Sequence, residues 1–169
     1  MKVALIANIS ANGKILLSEN TGYQAPPEAI EIFMKVATRA GNMILGRKTF
    51  EMLQRAMGDI KSMFQGVELV LISASGIATD DHKVVTNTEE AIDYMKGKGY
   101  QEIAIGGGTV TYNAFLENGL ITDIYFNIHP VIVGNGGILG TDNELTSKFR
   151  LVSHEQISEN MIHMHLSRG

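Results

Sequence analysis

The chain has 169 residues, 44% of them hydrophobic, and a formal net charge of −4. This length and apolar content fit one domain with a sizeable core, so we expect a single domain over residues 1–169. The acidic balance, without any run of like charges, argues against a nucleic-acid partner, and the lack of cysteine excludes disulfides, thiolate metal sites and a cysteine nucleophile.

The N-terminal apolar run is interrupted by Asn8 before a signal-peptide core is complete, and no segment is long enough to span a membrane. We therefore expect a cytoplasmic protein with no membrane partner.

The first third of the chain indicates a strand, an irregular stretch and a helix. Residues 3–9 form a compact apolar run typical of a buried strand, and a turn signal follows at residues 10–13. Residues 14–25 indicate irregular chain. The sequence Pro26-Pro27-Glu28 predicts a helix start, and Gly41 predicts its end.

The middle of the chain also alternates predicted strands with predicted helices. A second strand is predicted at residues 42–46, and a helix that starts at residues 47–49 carries Phe50, Leu53 and Met57 on one side. Further strands are predicted at residues 67–72 and 83–86, and a helix at residues 89–96 with Thr86 or Thr88 as its N-cap.

The last third changes pattern after another strand and helix. Residues 101–105 predict a strand that enters three glycines and then a helix, and residues 120–133 indicate one long strand containing Pro130. After a loop at residues 135–140, residues 150–157 and 161–166 predict an antiparallel hairpin.

Together these elements predict an α/β fold: a three-layer αβα domain with a mostly parallel central sheet and an antiparallel hairpin at its C-terminal edge. Ligands of such sheets bind beyond the carboxyl ends of the strands. The polar segments at residues 46–49, 73–76 and 106–111 each follow a strand, so we expect them to open on the same edge.

The strand, glycine and helix sequence at residues 101–116 is typical of a phosphate site, because glycines let backbone amides approach an anion that the helix N-terminus also attracts. The alternative is a tight turn with no ligand. The Gly-x-Gly-x-x-Gly dinucleotide pattern is broken, since Thr111 stands where its third glycine belongs.

Three motifs resemble those of dihydrofolate reductase in order and spacing. They are Ile44-Leu-Gly-Arg-Lys-Thr-Phe-Glu51, Leu71-Ile-Ser-Ala-Ser75 and Ile105-Gly-Gly-Gly-Thr-Val110. The C-terminal segments at residues 115–124 and 129–137 are more similar to the C-terminal reductase domain of the bifunctional deaminase-reductase of bacterial riboflavin biosynthesis. The chain resembles this combined superfamily over nearly its whole length.

The resemblance implies a bound NADPH along the sheet edge. The helix start would lie near the cofactor phosphates, the serine loop would contact the 2′-phosphate, and the glycine segment would pack against the pyrophosphate. The implied cofactor-binding residues are Gly46, Arg47, Lys48, Thr49, Ser73, Ala74, Ser75, Gly106, Gly107, Gly108, Thr109 and Val110. For Arg47 and Lys48 the alternative is a solvated helix start.

This chain departs from the two families at two positions that concern catalysis. Dihydrofolate reductases anchor the pterin with a carboxylate near the start of the first helix, where this chain has Ala29, one residue after Glu28. The riboflavin-type loop reads Ser-x-Asp-Gly-Lys-Ile, and here Asn12 replaces the aspartate. The catalytic residue is unknown; weak candidates are Asn12, Glu28, Tyr112 and Asn113, and the alternative for Tyr112 is packing beside Phe115 and Leu116.

The leading hypothesis is an NADPH-dependent reductase of a small heterocyclic or ribosylaminopyrimidine-type substrate, similar to 5-amino-6-(5-phosphoribosylamino)uracil reductase. The alternatives are dihydrofolate reductase and a non-catalytic nucleotide-binding protein. Riboflavin-type reductases form dimers, so the resemblance implies a homodimer. His163 and His165 alternate with apolar residues on a predicted strand, and we expect them on the solvent side, with no metal bound.

Overall fold

The computed structural model describes residues 1–16, 22–79 and 81–169. Part of the predicted irregular stretch, residues 17–21, lies outside the described residues. In chain order the elements are β1 (Lys2–Ser10), α1 (Pro27–Ala40), β2 (Asn42–Gly46), α2 (Arg47–Met57), α3 (Ile60–Met63), β3 (Glu68–Ile72), β4 (Lys83–Val85), α4 (Thr88–Gly97), β5 (Glu102–Gly107), α5 (Thr109–Glu117), β6 (Asp123–His129), β7 (Arg150–Ser158) and β8 (Met161–Ser167).

The strands form one sheet in the order β4-β3-β2-β5-β1-β6-β8-β7. The first six in this order run parallel, β8 is antiparallel to β6, and β7 is antiparallel to β8. The predicted mostly parallel sheet with an antiparallel C-terminal hairpin is confirmed. Parallel neighbours need crossovers, and helices α1, α2, α4 and α5 supply them.

Helices cover both faces of the sheet. Val36 and Ala37 of α1 and Phe50 of α2 pack on one face, whereas Met95 of α4 and Phe115 of α5 pack on the other. The central strands are therefore largely apolar on both sides rather than alternating, as the compact apolar run at residues 3–9 indicated. This arrangement leaves the carboxyl ends of the parallel strands free to form a site.

Strand β6 is shorter than the predicted strand at residues 120–133. It ends at His129, directly before Pro130, which has no amide hydrogen to donate to a ladder. On its N-terminal side, Leu120 donates its amide to the Phe115 carbonyl at the end of α5, so this residue closes the helix instead of extending the strand.

The predicted caps of α4 were wrong. Asn87 is the N-cap, and its side chain accepts a hydrogen bond from the Glu90 amide. Thr88 is already helical, and the Thr86 hydroxyl donates to the Glu90 carboxylate. The short helix α3, capped by Asp59, was not predicted because four residues carry too little periodicity.

The two strand histidines do not lie on the solvent side, as the alternation predicted. Both stack on Tyr125; His163 is hydrogen-bonded to Asn127 and His165 to Asp123, whereas Ile162 is 46% exposed. Within the described ranges, no three histidine, aspartate or glutamate side chains gather as metal ligands. Over those same ranges, none of the helices combines the length and hydropathy needed to cross a membrane.

Candidate nucleotide site and adjoining cavity

The three predicted polar segments lie at one edge of the sheet. Strand β2 pairs with both β3 and β5, which places residues 46–49, 73–76 and 106–111 after neighbouring strand ends. The segments after β2 and β5 lie close together, since a Cβ built on Gly46 would lie 2.7 Å from Thr111 Oγ1 and 3.5 Å from the Gly108 nitrogen.

The glycines at residues 106–108 are buried and cannot carry side chains. A Cβ on Gly106 would meet Met43 and Leu45, and one on Gly108 would lie 2.5 Å from Thr49 Oγ1. Gly107 has a φ of 119°, which side-chain-bearing residues rarely adopt, and the Gly107–Gly108 peptide is cis. The glycine run therefore lets two chain segments approach each other closely at the sheet edge.

Helices α2 and α5 both begin at this edge without a side-chain cap. Their N-caps are Gly46 and Gly108, whereas the caps of α3 and α4, Asp59 and Asn87, accept hydrogen bonds from their own helices. Uncapped first-turn amides and the positive dipole ends attract anions. Two such termini side by side form a site suited to a pyrophosphate.

Polar groups surround these helix starts. The Arg47 guanidinium donates to the Glu51 carboxylate at 3.0 Å and to the Ile77 carbonyl at 2.8 Å, which ties α2 to the loop after β3. Lys48 is exposed. In that loop the Ser73 and Ser75 hydroxyls lie 2.9 Å apart on either side of exposed Ala74, so this rim offers cations and hydroxyl groups together.

We call the sheet edge at residues 46–49 and 106–111 the glycine edge. A cavity of about 470 Å³ adjoins it on the face covered by α1 and α2. Thr49 and Gly106 belong both to the cavity wall and to the glycine edge, so the two spaces meet there. The other lining residues are Ile6, Asn8, Ile15, Leu16, Tyr23, Gln24, Ala25, Ile30, Phe33, Met52, Leu53, Ala56, Met57, Met63, Phe64 and Tyr112. No charged residue stands among these described lining residues.

The predicted candidates Asn12 and Asn113 hold loops together. The Asn12 amide donates to the Val133 carbonyl at 2.9 Å, and its oxygen accepts from the Ser10 hydroxyl. The Asn113 amide donates to the Ile138 carbonyl, and its oxygen accepts the Gly140 amide. Neither side chain lines the cavity.

Tyr112 lines the cavity, but its hydroxyl donates to the Ile6 carbonyl at 2.6 Å. The ring is 3% exposed and belongs to the same core cluster as Phe115 and Leu116, as the packing alternative predicted. Burial raises the pKa of its phenol, so the hydroxyl keeps its proton. Glu28 lies in the first turn of α1, half-buried and outside the cavity lining.

Sequence reasoning missed two residues at the cavity, Tyr23 and Asn8, and their buried partner His129. Tyr23 Oη lies 2.6 Å from His129 Nδ1, and His129 Nε2 lies 3.0 Å from Asn8 Oδ1. The signal for Asn8 was present, since it is a polar residue within the apolar run of β1. Tyr23 lies in irregular chain, where no periodicity could mark it.

Comparisons with known proteins find similar folds and a family. A solved structure described as a riboflavin biosynthesis protein, from Shewanella sp. PV-4, superposes with a TM-score of 0.81 at 19% identity, covering 100% of this chain and 99% of that one. A pyrimidine reductase-like protein from Corynebacterium diphtheriae gives 0.76 at 17% identity, covering 98% and 91%. A search of curated proteins finds no match. The family model for the RibD C-terminal domain matches residues 1–163, and the chain belongs to that family.

Proposed function

We propose that the protein is an NADPH-dependent reductase of a small heterocyclic or ribosylaminopyrimidine-type substrate. One observation carries the proposal: Thr49 in the first turn of uncapped α2 and Gly106 of β5, two residues before the N-cap of α5, both line the apolar cavity. A nucleotide held at the helix starts would then place its reactive end at the cavity. Membership of the RibD C-terminal domain family supports the proposal, and a structural neighbour's description supports a place in riboflavin biosynthesis.

The residues at the sheet edge fit such a cofactor. The uncapped first-turn amides of α2 and α5 would hold a pyrophosphate, with Thr109 and Val110 beside it. Gly107 and Gly108 let these two helix starts lie close together, because a Cβ there would contact Tyr112 or Thr49. Arg47 and Lys48, with the hydroxyl groups of the serine loop, would hold the 2′-phosphate side. When bound, the nicotinamide supplies a hydride.

The chain's own contribution is to position the substrate and exclude water. The largely apolar walls of the cavity, including Phe33, Leu53 and Phe64, remove water from a bound ring and strengthen the polar contacts that remain. No carboxylate stands among the described lining residues, so we propose that water supplies the proton that balances the hydride.

Dihydrofolate is the weaker substrate candidate. Ile30 and Phe33 of α1 line the cavity, whereas Ala29 is fully buried and Glu28 is outside the lining. A pterin anchored by a helix carboxylate would therefore lack its partner. A protein that binds the nucleotide without turnover remains a distinct alternative, which only a reaction assay separates.

The test is NADPH oxidation, followed by absorbance, in the presence of heterocyclic substrates. Gly107→Ala should abolish turnover, because the new methyl group would lie 3.0 Å from the Tyr112 hydroxyl at a φ of 119°. Gly99→Ala is the matched control, since Gly99 also has positive φ but no atom within 4 Å of the built Cβ. NADPH binding without oxidation by any substrate would favour the non-catalytic alternative.

A further inference from the structure

The sequence contains Asn-Gly pairs, the dipeptides most prone to deamidation. They are Asn12-Gly13, Asn118-Gly119 and Asn135-Gly136. In this reaction the backbone nitrogen of the glycine attacks Cγ of the asparagine, and a C–N bond forms as ammonia leaves. Water then opens the cyclic imide at either carbonyl, which gives aspartate or isoaspartate. Glycine favours the reaction because it has no Cβ to obstruct the ring closure.

Hydrogen bonds hold Asn12-Gly13 in place. Asn12 Nδ2 donates to the Val133 carbonyl at 2.9 Å, and Asn12 Oδ1 accepts from the Ser10 hydroxyl at 2.6 Å. The Gly13 amide, which would be the attacking group, donates to the Ser10 carbonyl at 2.9 Å. These bonds must open before the glycine nitrogen can reach Cγ, so the folded protein protects this pair.

Asn118-Gly119 is held in the same way at the end of α5. Asn118 Nδ2 donates to the Ala114 carbonyl at 2.7 Å. The Gly119 amide donates to the Leu116 carbonyl at 3.0 Å. Both the group that leaves and the group that attacks are therefore engaged in hydrogen bonds to the helix, and this pair is also protected.

Asn135-Gly136 lies in a bend of the connection between β6 and β7, outside the helices and strands. Asn135 is exposed, but so are Asn12 and Asn118, so exposure does not distinguish the three. The difference is in the hydrogen bonds: neither the Asn135 side chain nor the Gly136 amide is bonded to a residue that the structure describes. No described bond has to open before the attack at this pair.

The chain after Asn135 packs tightly against two other segments. A Cβ built on Gly136 would lie 2.7 Å from the Ile15 carbonyl oxygen, and one on Gly137 would overlap the Thr109 side chain. The Ile15 amide donates to the Gly137 carbonyl at 2.8 Å. Isoaspartate at position 135 adds one carbon to the backbone directly before these contacts, so it would displace Gly137 from Ile15 and from Thr109 of the glycine edge.

We infer that Asn135 is the site of spontaneous deamidation in the folded protein, and that its isoaspartyl form releases Gly137 from Ile15. The modification consumes one water, releases one ammonia and needs no enzyme or cofactor. It changes the segment that lies against Thr109, so it links the age of a protein molecule to the geometry of the glycine edge. No nucleotide takes part, so the inference can fail without the proposed function failing, and the reverse.

The experiment is peptide mapping by mass spectrometry after incubation in warm, mildly alkaline buffer. Chymotrypsin cleaves after Tyr125 and Phe126, which puts Asn118 and Asn135 into different peptides. In the folded protein we expect Asn12 and Asn118 to convert at least about fivefold more slowly than Asn135, the factor that one ordinary hydrogen bond is worth. In concentrated guanidinium chloride, which removes the protection, the three rates should converge.

Two variants and a second readout complete the test. Asn135→Gln should abolish the main conversion, and Asn118→Gln, the matched control, should leave it unchanged. Hydrogen exchange of the Ile15 amide should be faster in incubated than in fresh wild-type protein, and unchanged by incubation in Asn135→Gln.

Conversion of Asn12 or Asn118 as fast as that of Asn135 in the folded protein would overturn the inference. The same holds if Asn135 converts only after unfolding. Isoaspartate at position 135 with unchanged exchange of the Ile15 amide would overturn the release of Gly137.

Discussion

Substitution of Gly46 tests the proposed nucleotide site directly. In Gly46→Ala the new methyl carbon would lie 2.7 Å from Thr111 Oγ1, about 0.7 Å short of the 3.4 Å at which ordinary contact begins. Relieving this overlap costs about 1–3 kcal/mol. The same methyl group would cover the Gly108 amide at 3.5 Å, so we expect NADPH affinity, measured by calorimetry, to fall about tenfold or more.

Two further variants separate the folding cost from the binding effect. Gly46→Ala with Thr111→Ala removes the crowded hydroxyl, so urea unfolding should return towards the wild-type midpoint while NADPH affinity stays low. Gly97→Ala in α4, with no atom within 4 Å of the built Cβ, should leave binding unchanged and stabilise the fold by about 0.5–1 kcal/mol. Wild-type NADPH affinity in the folded Gly46→Ala protein would refute the reasoning.

Three other predictions concern separate parts of the molecule. Arg47→Ala should weaken NADPH several-fold more than NADH in parallel titrations, and equal weakening would remove its role at the 2′-phosphate. Burial raises the pKa of Asp123, but hydrogen bonds from His165 and Thr122 and the Lys2 charge lower it below its usual value overall. Asp123→Asn should therefore cost about 1–2 kcal/mol of unfolding free energy at pH 7, and the difference should shrink as pH falls below about 4, the ordinary aspartate pKa; a pH-independent difference would contradict this. Asn87→Ala should cost about 1 kcal/mol by loss of the α4 cap, measured by urea unfolding; an unchanged midpoint would contradict the cap assignment.

The fold was predictable because strong local signals coincide with its elements. The run at residues 42–46 is flanked by Gly41 and by the polar residues 47–49, and the structure places β2 at those bounds. Prolines fixed the start of α1 and glycine its end. The length of β6 was misjudged because residues 120–122 and 130–133 continue its apolar character, although pairing stops at His129.

The meeting of residues 46–49, 73–76 and 106–111 at one sheet edge was predictable because each segment directly follows a parallel strand. Glycines after a strand and before a helix carry their meaning locally, and parallel topology brings such segments together. The polar residues at the cavity wall were not predictable, because Asn8, Tyr23 and His129 are far apart in the chain. They meet through the pairing of β1 with β6 and through the hydrogen bond between Tyr23 and His129. Asn12 and Asn113 were catalytic candidates because the sequence shows their polar side chains. It does not show the backbone carbonyls to which those side chains donate hydrogen bonds.

The most direct measurement is calorimetric titration of the purified protein with NADPH and, separately, with NADH. The account predicts tight NADPH binding and at least about tenfold weaker NADH binding, because Arg47, Lys48 and the serine loop favour the extra phosphate. Binding of neither nucleotide would contradict the central claim and leave only a shared fold with the RibD C-terminal domain family.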